Sequence, residues 1–128
     1  MSWLFNTVDD VLISKFVQNI GDIALMEEML NAGTIPDVNI KDTFCKNRTA
    51  LMYQSQYGTL ESVEFLLKRN ADMNLSCNLG LTALHYALLD PKLNTQKVRL
   101  LLDYKADTRL FDIVDADKYT VDGYVGDK

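Results

Sequence analysis

The sequence predicts a mainly α repeat protein, a solenoid of stacked helix–turn–helix units. Residues 80–107, GLTALHYALLDPKLNTQKVRLLLDYKAD, read as glycine turn, short helix, loop, longer helix and turn. An earlier copy, NRTALMYQSQYGTLESVEFLLKRNAD, begins at Asn47. Laid over each other, Thr49-Ala50-Leu51 falls on Thr82-Ala83-Leu84 at a displacement of 33 residues. Val63, Leu66, Leu67, Ala71 and Asp72 fall on Val98, Leu101, Leu102, Ala106 and Asp107 at a displacement of 35. The extra residues sit around Pro91-Lys92-Leu93, between the helices, where a loop tolerates insertion. A period in the low thirties, with two helices in each copy, is the signature of a stacked array.

Each element has its own local reason. Residues 9–20 open with Asp-Asp ahead of an apolar run, an N-cap and an acidic first turn. Gly21-Asp22 breaks the chain and restarts it into IALMEEMLNAG, where Ile23, Met26 and Leu30 share one helical face. Gly33 is a natural left-handed residue after that helix. This first unit, about 8–36, aligns Gly21 with Gly58 and Met29-Leu30 with Leu66-Leu67, and serves as a degenerate N-terminal cap. The second unit spans 37–70 and the third 71–105, all within one domain of 1–128. Asp37-Val38-Asn39 and Asp72-Met73-Asn74 mark turns, since Asp and Asn bond their own backbone. The first helices of these units are expected over 49–56 and 82–89, each with a threonine N-cap, and the second helices over 60–69 and 94–104. Asn47 stands where the third unit has Gly80, and Asn is the best non-glycine residue for positive φ. After Asp107 the pattern fades. Residues 106–128 hold a last hairpin followed by a C-terminal cap built on Phe111, Ile113, Val114, Tyr119, Val121 and Tyr124, or else a truncated fourth repeat.

Thr-Ala-Leu-His-Tyr-Ala at 82–87 resembles the Thr-Pro-Leu-His-x-Ala signature of the ankyrin repeat, and the match continues through an aliphatic second helix into Ala-Asp. The resemblance covers about residues 8–110. It implies an ankyrin-type solenoid with projecting β-hairpins or turns, and a protein–protein interaction module: an adaptor, scaffold or inhibitor without catalysis of its own. The alternative is the substrate-targeting segment of a larger enzyme or pathogen effector. The partner is then another protein bound through a concave surface of hairpins and first helices. Carried over by position, the contact residues are Phe44, Cys45, Lys46 and Arg48 from the second hairpin, and Asn78, Leu79 and Leu81 from the third. Gln56, Tyr57, Leu89 and Asp90 come from the ends of the first helices, and Arg69 and Tyr104 from the ends of the second. Phe44, Tyr57, Leu79, Leu81 and Tyr104 are large apolar groups at usually exposed positions, as an interface hot spot would be. Thr49, Thr82, Gly58 and Gly80 take structural roles. His85 does too, bonding the Thr82 hydroxyl and a backbone group of a neighbouring hairpin. The second unit has Met52 there and must tie its hairpin without that link. Asn39 and Asn74 resemble asparagines that are hydroxylated in such repeats.

Composition excludes several classes. The net charge of −5 is uneven: residues 1–42 carry seven acids and two bases, 43–111 six acids and nine bases, and 112–128 five acids and two bases. No broad basic face exists for nucleic acid. The mildly basic centre is either a plain solvated surface or a site where Lys46, Arg48, Lys68 and Arg69 meet an acidic partner segment. No apolar run reaches the ~18 residues of a membrane span, and the N-terminus lacks a secretory signal pattern. Cys45 and Cys77 occupy equivalent hairpins of stacked units about 8–10 Å apart, too far for a disulfide with its Cα separation of ~4.4–6.8 Å. Free thiols suit a cytoplasmic, or alternatively nuclear, setting. A single histidine and two distant cysteines make no metal site, and no phosphate loop, nucleophile elbow or cofactor motif is present, so no cofactor is expected. Asp112, Asp115 and Asp117 only weakly mimic the start of a calcium loop, because Lys118 and Tyr119 follow. The expected state is a monomer, or a weak dimer through the C-terminal face.

Overall fold

The computed structural model describes residues 10–92 and 94–104. Six helices follow one another there: α1 Asp10–Val17, α2 Ile23–Asn31, α3 Ala50–Tyr57, α4 Leu60–Lys68, α5 Ala83–Leu88 and α6 Thr95–Asp103. They form three antiparallel pairs in two layers, with α1, α3 and α5 side by side in one layer and α2, α4 and α6 in the other. The predicted tail, including the capping residues 111–124 and the Asp112, Asp115 and Asp117 cluster, lies outside the described residues.

Of the two expected threonine caps Thr49 makes the bond, whereas Thr82 does not, because its hydroxyl faces His85 Nδ1 at 2.9 Å instead. Thr49 Oγ1 accepts from the Met52 N–H at 3.3 Å, and Thr59 Oγ1 accepts from the Ser62 N–H at 3.1 Å. Asn94 Oδ1 accepts from the Gln96 N–H at 3.0 Å and settles the start of α6. Each such cap contributes about 1 kcal/mol. Exits use left-handed backbone, at Gly33 (φ 77°) and at Asn70 (φ 67°).

One apolar core runs the length of the stack. Phe16, Val17 and Met26 of the first unit, Leu51, Val63 and Leu66 of the second, and Ala83, Leu84, Val98 and Leu101 of the third are all buried in it. Burying one such aliphatic or aromatic side chain contributes roughly 1.5–3 kcal/mol. The short second copies of the repeat are therefore held by neighbours rather than by helix propensity. A smaller cluster of Met52, Cys77 and Tyr86, with Leu75, Leu81 and Leu89 packed on it, lies under the hairpins.

Of the expected projecting β-hairpins or turns, the described residues show turns. Among the described residues the only β pairing is an isolated antiparallel bridge between Asp42 and Arg48. Between them the chain makes a 3-10 turn, Thr43–Cys45, followed by two left-handed residues, Lys46 (φ 60°) and Asn47 (φ 59°). The Asp42 carbonyl takes the N–H groups of both Cys45 and Asn47, so the backbone closes on itself before a ladder can extend. Gly80 (φ 79°) turns the third hairpin.

Candidate protein-binding surface

Successive units are tied along both edges of the stack. On the hairpin edge, Asn39 Oδ1 accepts from the Asp72 N–H at 2.7 Å. The Asn78 N–H donates to the Lys46 carbonyl at 2.9 Å, and Asn47 Nδ2 donates to Asn78 Oδ1 at 2.7 Å. Asp37 and Asp72 each fold their own turn by accepting from the N–H two residues on, at Asn39 and Asn74. On the opposite edge, fully buried Gln54 accepts from the Gly21 N–H at 3.0 Å and donates to the Asn19 carbonyl. One unit further, Lys97 Nζ donates to the Gly58 carbonyl at 3.0 Å. Both turn glycines are thus gripped by the unit that follows.

Lys97 is 1% exposed and pairs with Asp90 at 2.9 Å. Asp90 also accepts from the Lys92 and Asn94 N–H groups. Burial alone would raise the Asp90 carboxyl, but hydrogen bonds from Lys97 and Lys92 and the Lys97 charge outweigh it, so the group lies below its ordinary range. Asp90 is therefore not a contact residue as expected from its position: it is 8% exposed and fully occupied. Its carboxylate turns back onto the Lys92 and Asn94 N–H groups that follow it.

On the inner face, Arg48 projects from the second hairpin across α3 and α5. Its guanidinium lies 5.3 Å from the Tyr53 ring centre and 5.4 Å from that of Tyr86. Nε donates to the Cys45 carbonyl at 3.3 Å and sulfur at 3.2 Å. Nη2 donates to the same sulfur at 2.6 Å, and Nη1 to Gln56 Oε1 at 3.4 Å. Tyr53 and Tyr57 meet with ring centres 5.0 Å apart, tilted at 51°. The Tyr86 hydroxyl lies 3.2 Å from Cys77 Sγ, and burial, then that contact, raises its pKa. Both cysteines are buried free thiols.

Four of the five large apolar residues picked from the sequence are exposed: Phe44 (73%), Leu79 (54%), Tyr57 (44%) and Tyr104 (38%). Phe44 and Leu79 stand on adjacent hairpins beside exposed Lys46 and Asn78. Leu81, with Leu89, is partly buried instead, packed on the Met52–Cys77–Tyr86 cluster. Arg69 is committed elsewhere. It donates to Asn31 at 2.6 Å, approaches Glu27 at 4.0 Å and lies over Phe65, so it ties the second unit to the first. Lys68 pairs with Glu64 on its own helix. The expected basic group of four therefore divides, and Lys46 and Arg48 alone stay with the hairpins. Gln56 and Tyr57 also line an open depression of about 690 Å³, shared with Ile20, Leu60, Pro91 and Lys92.

The structural residues work as follows. His85 Nδ1 accepts from the Thr82 N–H at 2.9 Å and lies 2.9 Å from the Thr82 hydroxyl. An Nδ1 that already accepts a backbone N–H takes the hydroxyl proton too, so the ring is neutral with its hydrogen on Nε2. Burial lowers its pKa from 6.5 to about 4. In the second unit the Met52 sulfur takes the imidazole's place, accepting from the Thr49 N–H at 3.5 Å. Gly58 is required by space and not by φ: a Cβ there would run into Gln54 Oε1, and would meet Ser62 Oγ at 2.6 Å and the Gln54 Cα at 2.9 Å.

The sequence reading missed Tyr53, Tyr86, Gln54 and Lys97. The tyrosines had a signal, since they occupy the same place in TALMY and TALHY. Gln54 and Lys97 had none, being ordinary polar residues on amphipathic helices.

A solenoid of short helix pairs with hairpins on one edge defines the class, and the comparison with known proteins names it. Residues 13–112 match ankyrin repeats in three copies, so the chain belongs to the ankyrin repeat family. It is 33% identical over 102 residues to a putative ankyrin repeat protein of Fowlpox virus (strain NVSL), an alignment that covers 80% of this chain. The chain spans about 14% of that relative's length. Among the described residues no helix is long and apolar enough to cross a membrane, and no group of three or more His, Cys, Asp or Glu could hold a metal.

Proposed function

We propose that the chain is a non-catalytic protein-binding module, an adaptor, scaffold or inhibitor acting inside a cell. The observation that carries this is the pair Phe44 and Leu79, 73% and 54% exposed on neighbouring hairpins that are rigidly bonded to each other. Apolar groups held out on a fixed frame are what a hot spot needs, and ankyrin repeats generally bind proteins. His85, the one histidine, is taken up by Thr82, which leaves it to the hairpin and not to chemistry.

The triple variant Phe44→Ser, Tyr57→Ser, Leu79→Ser tests this against the partner captured from the source cell. Binding should vanish with the thermal midpoint nearly unchanged. A midpoint drop of more than roughly 5 °C, about 1 kcal/mol for this size, would make these residues core and sink the assignment. A second reading is a targeting segment of a larger enzyme or effector.

A further inference from the structure

The hairpins and first helices of the second and third units differ in charge from the rest of the molecule. Residues 43–60 contain Lys46 and Arg48 and no Asp or Glu, and residues 73–89 contain no acid or base other than His85, in a chain of net charge −5. Of the carboxylates that flank these stretches, Glu61 and Asp72 are exposed, Asp72 accepting from the Asn74 N–H of its own turn, while the two nearest the ends of the hairpin segments are spent. Asp42 is 1% exposed and accepts from Gln18 Nε2 at 2.8 Å, while Asp90 is held by Lys97. Arg48 forms no ion pair among the described residues. Its side chain is clamped between two tyrosine rings and bonded to Cys45 and Gln56. One N–H on each terminal nitrogen is left without an acceptor among the described residues.

A guanidinium whose rotamers are already fixed loses little entropy on binding, and its planar fork matches a carboxylate. Lys46, exposed on the same hairpin, adds a second positive charge. Phe44 and Leu79, exposed on the same two hairpins, supply apolar contact. We infer that Arg48 anchors a side-chain carboxylate of a short acidic, apolar peptide segment of the partner, laid across the second and third hairpins between Phe44 and Leu79. This rests on the inner face being the binding surface and adds the chemistry of what binds. Two cations are too few for a nucleic-acid footprint, which makes a peptide the occupant.

The test uses the full chain and a fluorescein-labelled peptide of about twelve residues alternating Glu with Leu and Phe, beside a counterpart with Gln for every Glu. Fluorescence anisotropy should show the Glu peptide binding at least about tenfold tighter at low salt, with the margin shrinking as salt rises. Arg48→Met, which keeps the apolar stem between the rings, should erase that margin, and Arg48→Lys should keep part of it. Circular dichroism melts of both variants establish that they fold. Amide chemical-shift changes on peptide addition should centre on 44–57 and 78–86.

Equal affinity for the Glu and Gln peptides, with shifts still on those residues, would overturn the carboxylate anchor and leave the surface standing. Shifts confined to α2, α4 and α6 would overturn both. Displacement of the peptide by an equal concentration of single-stranded oligonucleotide would overturn the peptide assignment. Failure of either peptide to bind would overturn the linear-segment inference, while the triple-variant test on the captured partner judges the surface separately.

Discussion

At the residue scale the chain is held by polar groups whose charge state the fold dictates. His85 resists protonation in the native state far more than in the unfolded chain, with a pKa near 4 against 6.5. Between those values the unfolded chain binds more protons, so native stability is full above pH 6.5 and declines as pH falls toward 4. One pKa unit corresponds to about 1.4 kcal/mol, so the loss is on the order of 3 kcal/mol once pH is below 4. Asp90, depressed below its usual 3.8, adds a second loss at still lower pH. Urea titrations of wild type and His85→Gln should show the variant about 1–2 kcal/mol less stable at pH 7, with a flatter profile between pH 6.5 and 4. A variant as stable as wild type at pH 7 would count against the imidazole's part in the hairpin.

At the scale of elements, the Lys97–Asp90 pair joins α6 to the turn ahead of it and, through Gly58, to the turn of the preceding unit. Lys97→Met leaves Asp90 as an uncompensated buried carboxylate and should cost about 3–5 kcal/mol. Lys97→Met with Asp90→Leu should recover part of that in thermal denaturation. The helices themselves were legible in the sequence, because caps, glycines and apolar spacing act within a few residues. Thr49, Asn94 and Gly33 stand where local rules put them, and element ends moved by about a residue. Whether the projecting segments are hairpins or turns was less legible: Asn47 takes the left-handed backbone that its side chain suits, but nothing in Lys46 announces that it does the same, and the two in succession make a turn. Surface assignments were the least legible. Leu81 and Asp90 were expected at the surface by position, but Leu81 packs in part on the Met52–Cys77–Tyr86 cluster and Asp90 is taken up by Lys97, contacts between residues whose meeting no local rule announces.

At the scale of the whole molecule the three units act through their joints. Gln54 reaches from the second unit into the Asn19–Gly21 turn of the first. Gln54→Ala should therefore loosen that joint specifically, and native-state hydrogen exchange should show α1 and α2 amides opening before those of α3 and α5. Uniform acceleration across all six helices would mean the joint is held by apolar packing alone. The two-edged tying of the second and third units has a mechanical meaning. A stack fastened on one edge opens like a book, whereas here the Asn47–Asn78 and Asn78–Lys46 bonds close one edge and the Lys97–Gly58 bond closes the other. Bending in either direction breaks a hydrogen bond between units, the Lys97–Gly58 bond on one side or the Asn47–Asn78 and Asn78–Lys46 bonds on the other. If the inner face is the binding surface proposed above, its partner would meet a frame already fastened on both edges, and most of the conformational cost of the encounter would fall on the partner.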